Sequence, residues 1–172
     1  ASLVGIIGVF VFIPQLRKVR SMIGVYGLHF GVALVILGVA WSGPNKIEHQ
    51  YVIKEGQSVQ LGTYTMTYKK LTEGQTPEMA KISAIVEVSE NGKFIGLLAP
   101  ERRLYRNFEQ PFAEVSVIPS LGSEIYATLL SVDAEGNATF KMSLNPLINW
   151  LWIGGTLMCL FGFMAFRKPK LT

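Results

Sequence analysis

With 172 residues the chain has the length of one ordinary globular domain, but 49% hydrophobic and only 16% charged residues, with a mean hydropathy of +0.34, exclude a conventional water-soluble fold and point to a membrane protein. Its net charge of +4 comes from Lys and Arg residues that flank apolar runs or are scattered, with no basic face interleaved with aromatics, which argues against nucleic acid as a partner. The single cysteine, Cys159, excludes an intrachain disulfide, a CxxC redox pair and a CxxCH attachment site, so the chain is not itself a c-type cytochrome.

The first apolar stretch, Ala1 to Ile13, stops at Pro14 and is short for a membrane span. Residues 1–14 read as the end of a truncated transmembrane helix; a signal peptide is the rival reading, but the basic residues follow the stretch instead of preceding it. Residues 15–21, with Arg17, Lys18 and Arg20, read as a short basic turn on the cytoplasmic side. The run from Met22 to Trp41 is long enough to cross outward, giving a span over 22–43.

Residues 44–146 read as strands. Tyr64, Met66 and Tyr68 alternate with threonines, and Ile82, Ala84, Val86 and Val88 repeat the period of two. The Glu90-Asn91-Gly92 turn predicts a hairpin over 81–99, and a second is expected around Asp133 to Asn137, joining Glu124–Val132 to Thr139–Leu144. With Glu114–Ile118 and a piece near Val59, six or seven antiparallel strands and no helix are expected, forming an OB-like small barrel or a sandwich.

Residues 147–166 carry no charge, begin with Trp150 and Trp152, and are followed by Arg167, Lys168 and Lys170. They read as a span descending to a cytoplasmic tail at 167–172. The fold class expected is thus a multi-pass membrane protein, with two full transmembrane helices and one partial, flanking an all-β domain outside the cytoplasm. Both basic clusters fall on the same side in this topology.

His29 is the one ionisable Asp, Glu, His, Lys or Arg within the second span, about 10 Å from its cytoplasmic end. Two readings stand: a neutral imidazole hydrogen-bonded to a neighbouring helix, or a haem-iron ligand. Gly24, Gly27 and Gly31 lie around it in sequence and suit close approach by either a helix or a porphyrin. If iron binds, the second axial ligand comes from outside this chain. His49 has no CxxC, HExxH or acidic cluster beside it and reads as a solvated loop residue. Pro100 to Tyr105 is dense in charge, either a solvated turn or a docking surface. Glu114 and Glu124 have no spacing for paired acid-base work.

Three segments together, PERRLYRNFEQPFAEVSVIPSLGSEIYATLL at 100–130, NPLINWLWIGGTLMCLFGFMAF at 145–166 and LHFGVALVILGVAWSG at 28–43, resemble the C-terminal portion of the CcmF/NrfE family, the membrane haem lyase subunits of bacterial cytochrome c maturation. The resemblance implies a bacterial inner-membrane location, with the last two spans flanking a periplasmic β domain. It implies that His29 is one of two histidines on a membrane-embedded haem b. It further implies an activity: covalent attachment of haem to the CxxCH cysteines of apocytochrome c, with haem b passing an electron, from quinol, to the incoming haem. Implied partners are the rest of the haem lyase, a haem chaperone, apocytochrome c with its thiol-handling proteins, and membrane lipid. Glu124 stands where members often have Asp. The family's tryptophan-rich WWD segment has no counterpart here, so the chain reads as a fragment or split subunit, catalytically incomplete alone. The competing reading is a non-catalytic, membrane-anchored β domain that serves as a scaffold.

Overall fold

The computed structural model describes residues 17–166; the expected helix end at 1–14 and tail at 167–172 lie outside them. The chain divides into a helical unit and a β unit, the latter spanning Ser42–Leu147.

The helical unit contains α1 (Arg17–Ser42) and α2 (Ile148–Phe166). Helix α1 begins before Met22, so the residues from Arg17 onward that were expected in a basic turn are helical. Its far end is set by Gly43-Pro44, because a proline drives the residue before it out of the helical region. Each helix has a stretch long and apolar enough to cross a membrane, Met22–Ser42 and Ile148–Ala165. The two pack antiparallel along a glycine seam. A Cβ on Gly24 would meet Ala165, one on Gly31 would lie 2.8 Å from the Gly154 carbonyl oxygen, and one on Gly38 would lie 2.8 Å from the Leu151 nitrogen. Only glycine permits backbones to approach this closely.

The β unit holds ten strands among the described residues, more than the six or seven expected: β1 (Ile47–Ile53), β2 (Ser58–Leu61), β3 (Tyr64–Gln75), β4 (Met79–Glu90), β5 (Lys93–Leu98), β6 (Glu101–Tyr105), β7 (Phe112–Glu114), β8 (Ser116–Ile118), β9 (Ser123–Val132) and β10 (Ala138–Pro146). One sheet runs β1-β10-β9-β8; the other runs β2-β3-β4-β6-β7, with β5 also paired to β4. Both expected hairpins form. The β4–β5 turn places Asn91 at φ 51° and Gly92 at φ 77°, the left-handed pair that an Asn-Gly turn supplies. In the β9–β10 turn, the Asp133 carboxylate accepts from the Glu135 and Asn137 backbone N–H groups at 3.1 and 2.7 Å.

Met66, Tyr68, Ala84, Val86 and Val88 from one sheet meet Ile125, Ala127, Leu129, Phe140 and Met142 from the other in a single buried core. At its centre Tyr68 and Phe140 stack edge to face, 5.3 Å apart. Of the two architectures left open by the sequence, this is a sandwich. The strand expected over Glu114–Ile118 is two: β7 pairs with β6, β8 pairs with β9, and the chain changes sheet at Val115. Both ends of the unit lie at one end of the sandwich. Ile47 pairs with Leu144, and the Leu147 N–H donates to the Gly122 carbonyl at 2.7 Å, with Leu147 itself at φ 56° before α2 begins.

Candidate functional site

His29 is exposed on α1. Its Nδ1 lies 2.8 Å from the Val25 carbonyl oxygen, one turn earlier. A carbonyl can only accept, so Nδ1 carries the proton and the lone pair of the neutral ring sits on Nε2. Metal-binding histidines are oriented in this way, with the outward nitrogen left as the donor atom. The side chains around it are apolar and uncovered within the chain: Met22, Val25, Tyr26, Phe30 and Ile36 are between 44% and 70% exposed. This surface can seat a large apolar ligand that offers iron to Nε2.

The seam glycines are not part of that surface. Gly27 and Gly31 are each two residues from His29, a rotation of about 200° on a helix. They face α2, where Gly27 abuts Phe161 and Gly31 abuts Gly154 and Met158. The small-residue pattern thus belongs to helix packing, and the His29 face is separate from it.

His49 lies in edge strand β1, opposite Met142, with its ring 6.0 Å from that of Tyr51. It is exposed, as expected, but belongs to a strand and not a loop. Among the described residues no group of three or more His, Cys, Asp or Glu could hold a metal ion.

The charged stretch after Pro100 is strand β6, and two of its charges, Glu101 and Arg103, are paired. Glu101 accepts from Lys81 Nζ at 3.0 Å and from Arg103 Nη2 at 2.8 Å, and Arg103 Nη1 lies 3.6 Å from Glu114. Burial alone would raise the Glu101 carboxyl; the hydrogen bonds from Lys81 and Arg103 outweigh it and hold its pKa below the usual value. Glu124 is buried, and the Tyr126 hydroxyl donates to it. Burial, then the Glu124 carboxylate, push the Tyr126 phenol up to about 12. Sequence reasoning missed both arrangements. The ladder β4-β6-β7 creates the first, and the period-two spacing of Glu124 and Tyr126 was the available signal for the second.

At the far end of the larger sheet, Gln75, Met79, Leu104, Tyr105 and Phe108 line a cleft of about 320 Å³. The rings of Tyr105, Phe108 and Phe112 meet edge to face beside it, 5.2–6.4 Å apart.

The profile of the CcmF C-terminal β-sandwich matches residues 45–146, well over half of the chain. The chain belongs to the CcmF family. Similar proteins include the cytochrome c-type biogenesis protein NrfE of Haemophilus influenzae, 31% identical over 158 residues, which cover 90% of this chain and 25% of that protein. The cytochrome c-type biogenesis protein CcmF of Escherichia coli is 26% identical over 147 residues, covering 86% of this chain and 23% of its own length. A solved structure of the cytochrome c haem lyase CcmF superposes with a TM-score of 0.76 at 18% identity, over 88% of this chain and 26% of that one. The chain therefore spans about a quarter of the length of the relatives it matches, and within this family its β unit is the C-terminal sandwich.

Proposed function

We propose that this chain is the C-terminal part of a membrane haem lyase in cytochrome c maturation, with His29 the residue that would hold the iron of a haem b. The observation that carries the reading is the hydrogen bond from His29 Nδ1 to Val25, which leaves Nε2 directed from an apolar helix face. The family supports the process, since relatives of matching sequence are cytochrome c-type biogenesis proteins. The apolar α1 and α2 and the positive clusters beside them support crossing of the bacterial inner membrane with the sandwich on the periplasmic side.

In this reading Val25 fixes the imidazole tautomer, while Met22, Tyr26, Phe30 and Ile36 exclude water from the ligand face. When bound there, haem b would supply one-electron chemistry, with quinol as the reductant and the iron of the haem awaiting attachment as the acceptor. Any further ligand to that iron, and the site for the substrate haem, would come from the remainder of the lyase. The sandwich serves as the platform for a haem chaperone and for apocytochrome c with its thiol-handling partners. At the substrate, each CxxCH thiol adds across a vinyl group, sulfur to one carbon and hydrogen to the other.

The test is a pyridine haemochrome assay on the chain co-expressed with the preceding part of the lyase. His29→Ala is expected to abolish the b-type spectrum and the yield of cytochrome c, with His29→Gly regaining the spectrum in added imidazole. His49→Ala leaves both intact. An unchanged b-type spectrum in His29→Ala removes the ligand assignment.

A further inference from the structure

The helix-joined end of the sandwich carries exposed apolar side chains that the core does not use. Three turns lie there: Gly62-Thr63, Asn91-Gly92 and Pro119–Gly122. The first two are tied together by the register Leu61↔Tyr64↔Glu90↔Lys93. The third is bound to the chain just before α2 by the hydrogen bond from Leu147 to Gly122. Strands β5 and β8 run side by side towards this end: the Ala99 N–H donates to Ser116 Oγ at 2.9 Å, and a Cβ on Gly96 would lie 3.1 Å from Ile118 Cδ1. Two residues further along each strand come Phe94 and the Ser120-Leu121 tip. Phe94 is 58% exposed and Leu121 is 64% exposed, and Lys93, the residue before Phe94, is exposed as well.

Short stretches of chain connect this end to the two helices. Four residues separate Ser42, the end of α1, from Ile47, and one separates Pro146 from Ile148. Trp41 and Trp150, residue types that favour the water–lipid interface, stand at these same helix ends. Apolar tips with a lysine among them, on the end of the sandwich that short linkers join to tryptophan-bearing helix ends, match the chemistry of a lipid headgroup layer. We propose that this end of the sandwich rests in the headgroup region of the bilayer, inserting Phe94 and Leu121. The inference rests on the membrane reading above and adds a lipid-contact surface to the β domain.

The test uses the full chain in a Cys159→Ser background, reconstituted in phosphatidylcholine and phosphatidylglycerol vesicles. Phe94→Cys and Leu121→Cys are labelled singly with a nitroxide, alongside Leu160→Cys in α2 and Phe108→Cys at the far end of the sandwich. Relaxation by oxygen, which concentrates in lipid, is compared with relaxation by a water-soluble nickel chelate. Oxygen is expected to dominate at Phe94, Leu121 and Leu160 and nickel at Phe108. Nickel dominance at Phe94 and Leu121 with oxygen dominance at Leu160 overturns the proposal but leaves the membrane reading standing. Nickel dominance at Leu160 overturns both. Labels at Phe94 and Leu121 shielded from both reagents indicate a protein cover, which also overturns it.

Discussion

A proton on Nδ1 decides what His29 can do. The Val25 carbonyl, one helical turn back, accepts from Nδ1, so in the neutral ring the lone pair sits on Nε2. At Glu101 charge is decided by neighbours instead. Its pKa is lowered in the folded state, so fewer protons bind there than in the unfolded chain between the two values. The stabilisation is complete above the unfolded glutamate pKa of about 4.3 and is lost as pH falls through the lower, folded value. Thermal unfolding midpoints from pH 6 down to pH 3 are therefore expected to fall less steeply for Glu101→Gln than for the parent. Parallel profiles for the two would show that the Lys81–Glu101–Arg103 cluster adds no linkage.

Between the helices, the glycine seam works by excluding side chains. A Cβ on Gly154 would lie 2.6 Å from the Gly31 carbonyl oxygen and 2.8 Å from the Val35 nitrogen, both backbone atoms that cannot swing aside; one on the adjacent Gly155 meets nothing within 4 Å. Gly154→Ala is expected to destabilise the helical pair by about 1–3 kcal/mol through overpacking. Gly155→Ala is neutral or gains up to about 1 kcal/mol from helix propensity. Helical ellipticity during thermal unfolding in mild detergent measures both, and equal midpoints for the two variants would refute the seam. The sequence showed the glycines and allowed them two uses, and the packing selected one. A run of Gly24, Gly27 and Gly31 does not state which helix face meets a neighbour; α2 decides that, leaving His29 on the other side.

For the sandwich as a whole, stability depends on residues that two sheets bring together from distant parts of the chain. Phe140→Ala removes a fully buried ring and its edge-to-face contact with Tyr68, at a cost of roughly 3–5 kcal/mol. Val52→Ala, at a side chain 67% exposed, stays within about 0.5 kcal/mol. Denaturant unfolding followed by near-ultraviolet circular dichroism separates them. By itself the sequence determined the features that local chemistry dictates: two apolar helices, the Asn91-Gly92 and Asp133–Asn137 turns and the alternating strands beside them. It also singled out His29, because an ionisable side chain in an apolar span is conspicuous without knowledge of any neighbour. Tertiary structure alone made strands of Ile47–Ile53 and Glu101–Tyr105, whose polar residues mask alternation and whose partners lie up to about a hundred residues away. It also split Glu114–Ile118 between two sheets and paired Glu101 with Lys81. Pairing across a sheet depends on register between segments, and no local pattern in either segment contains it.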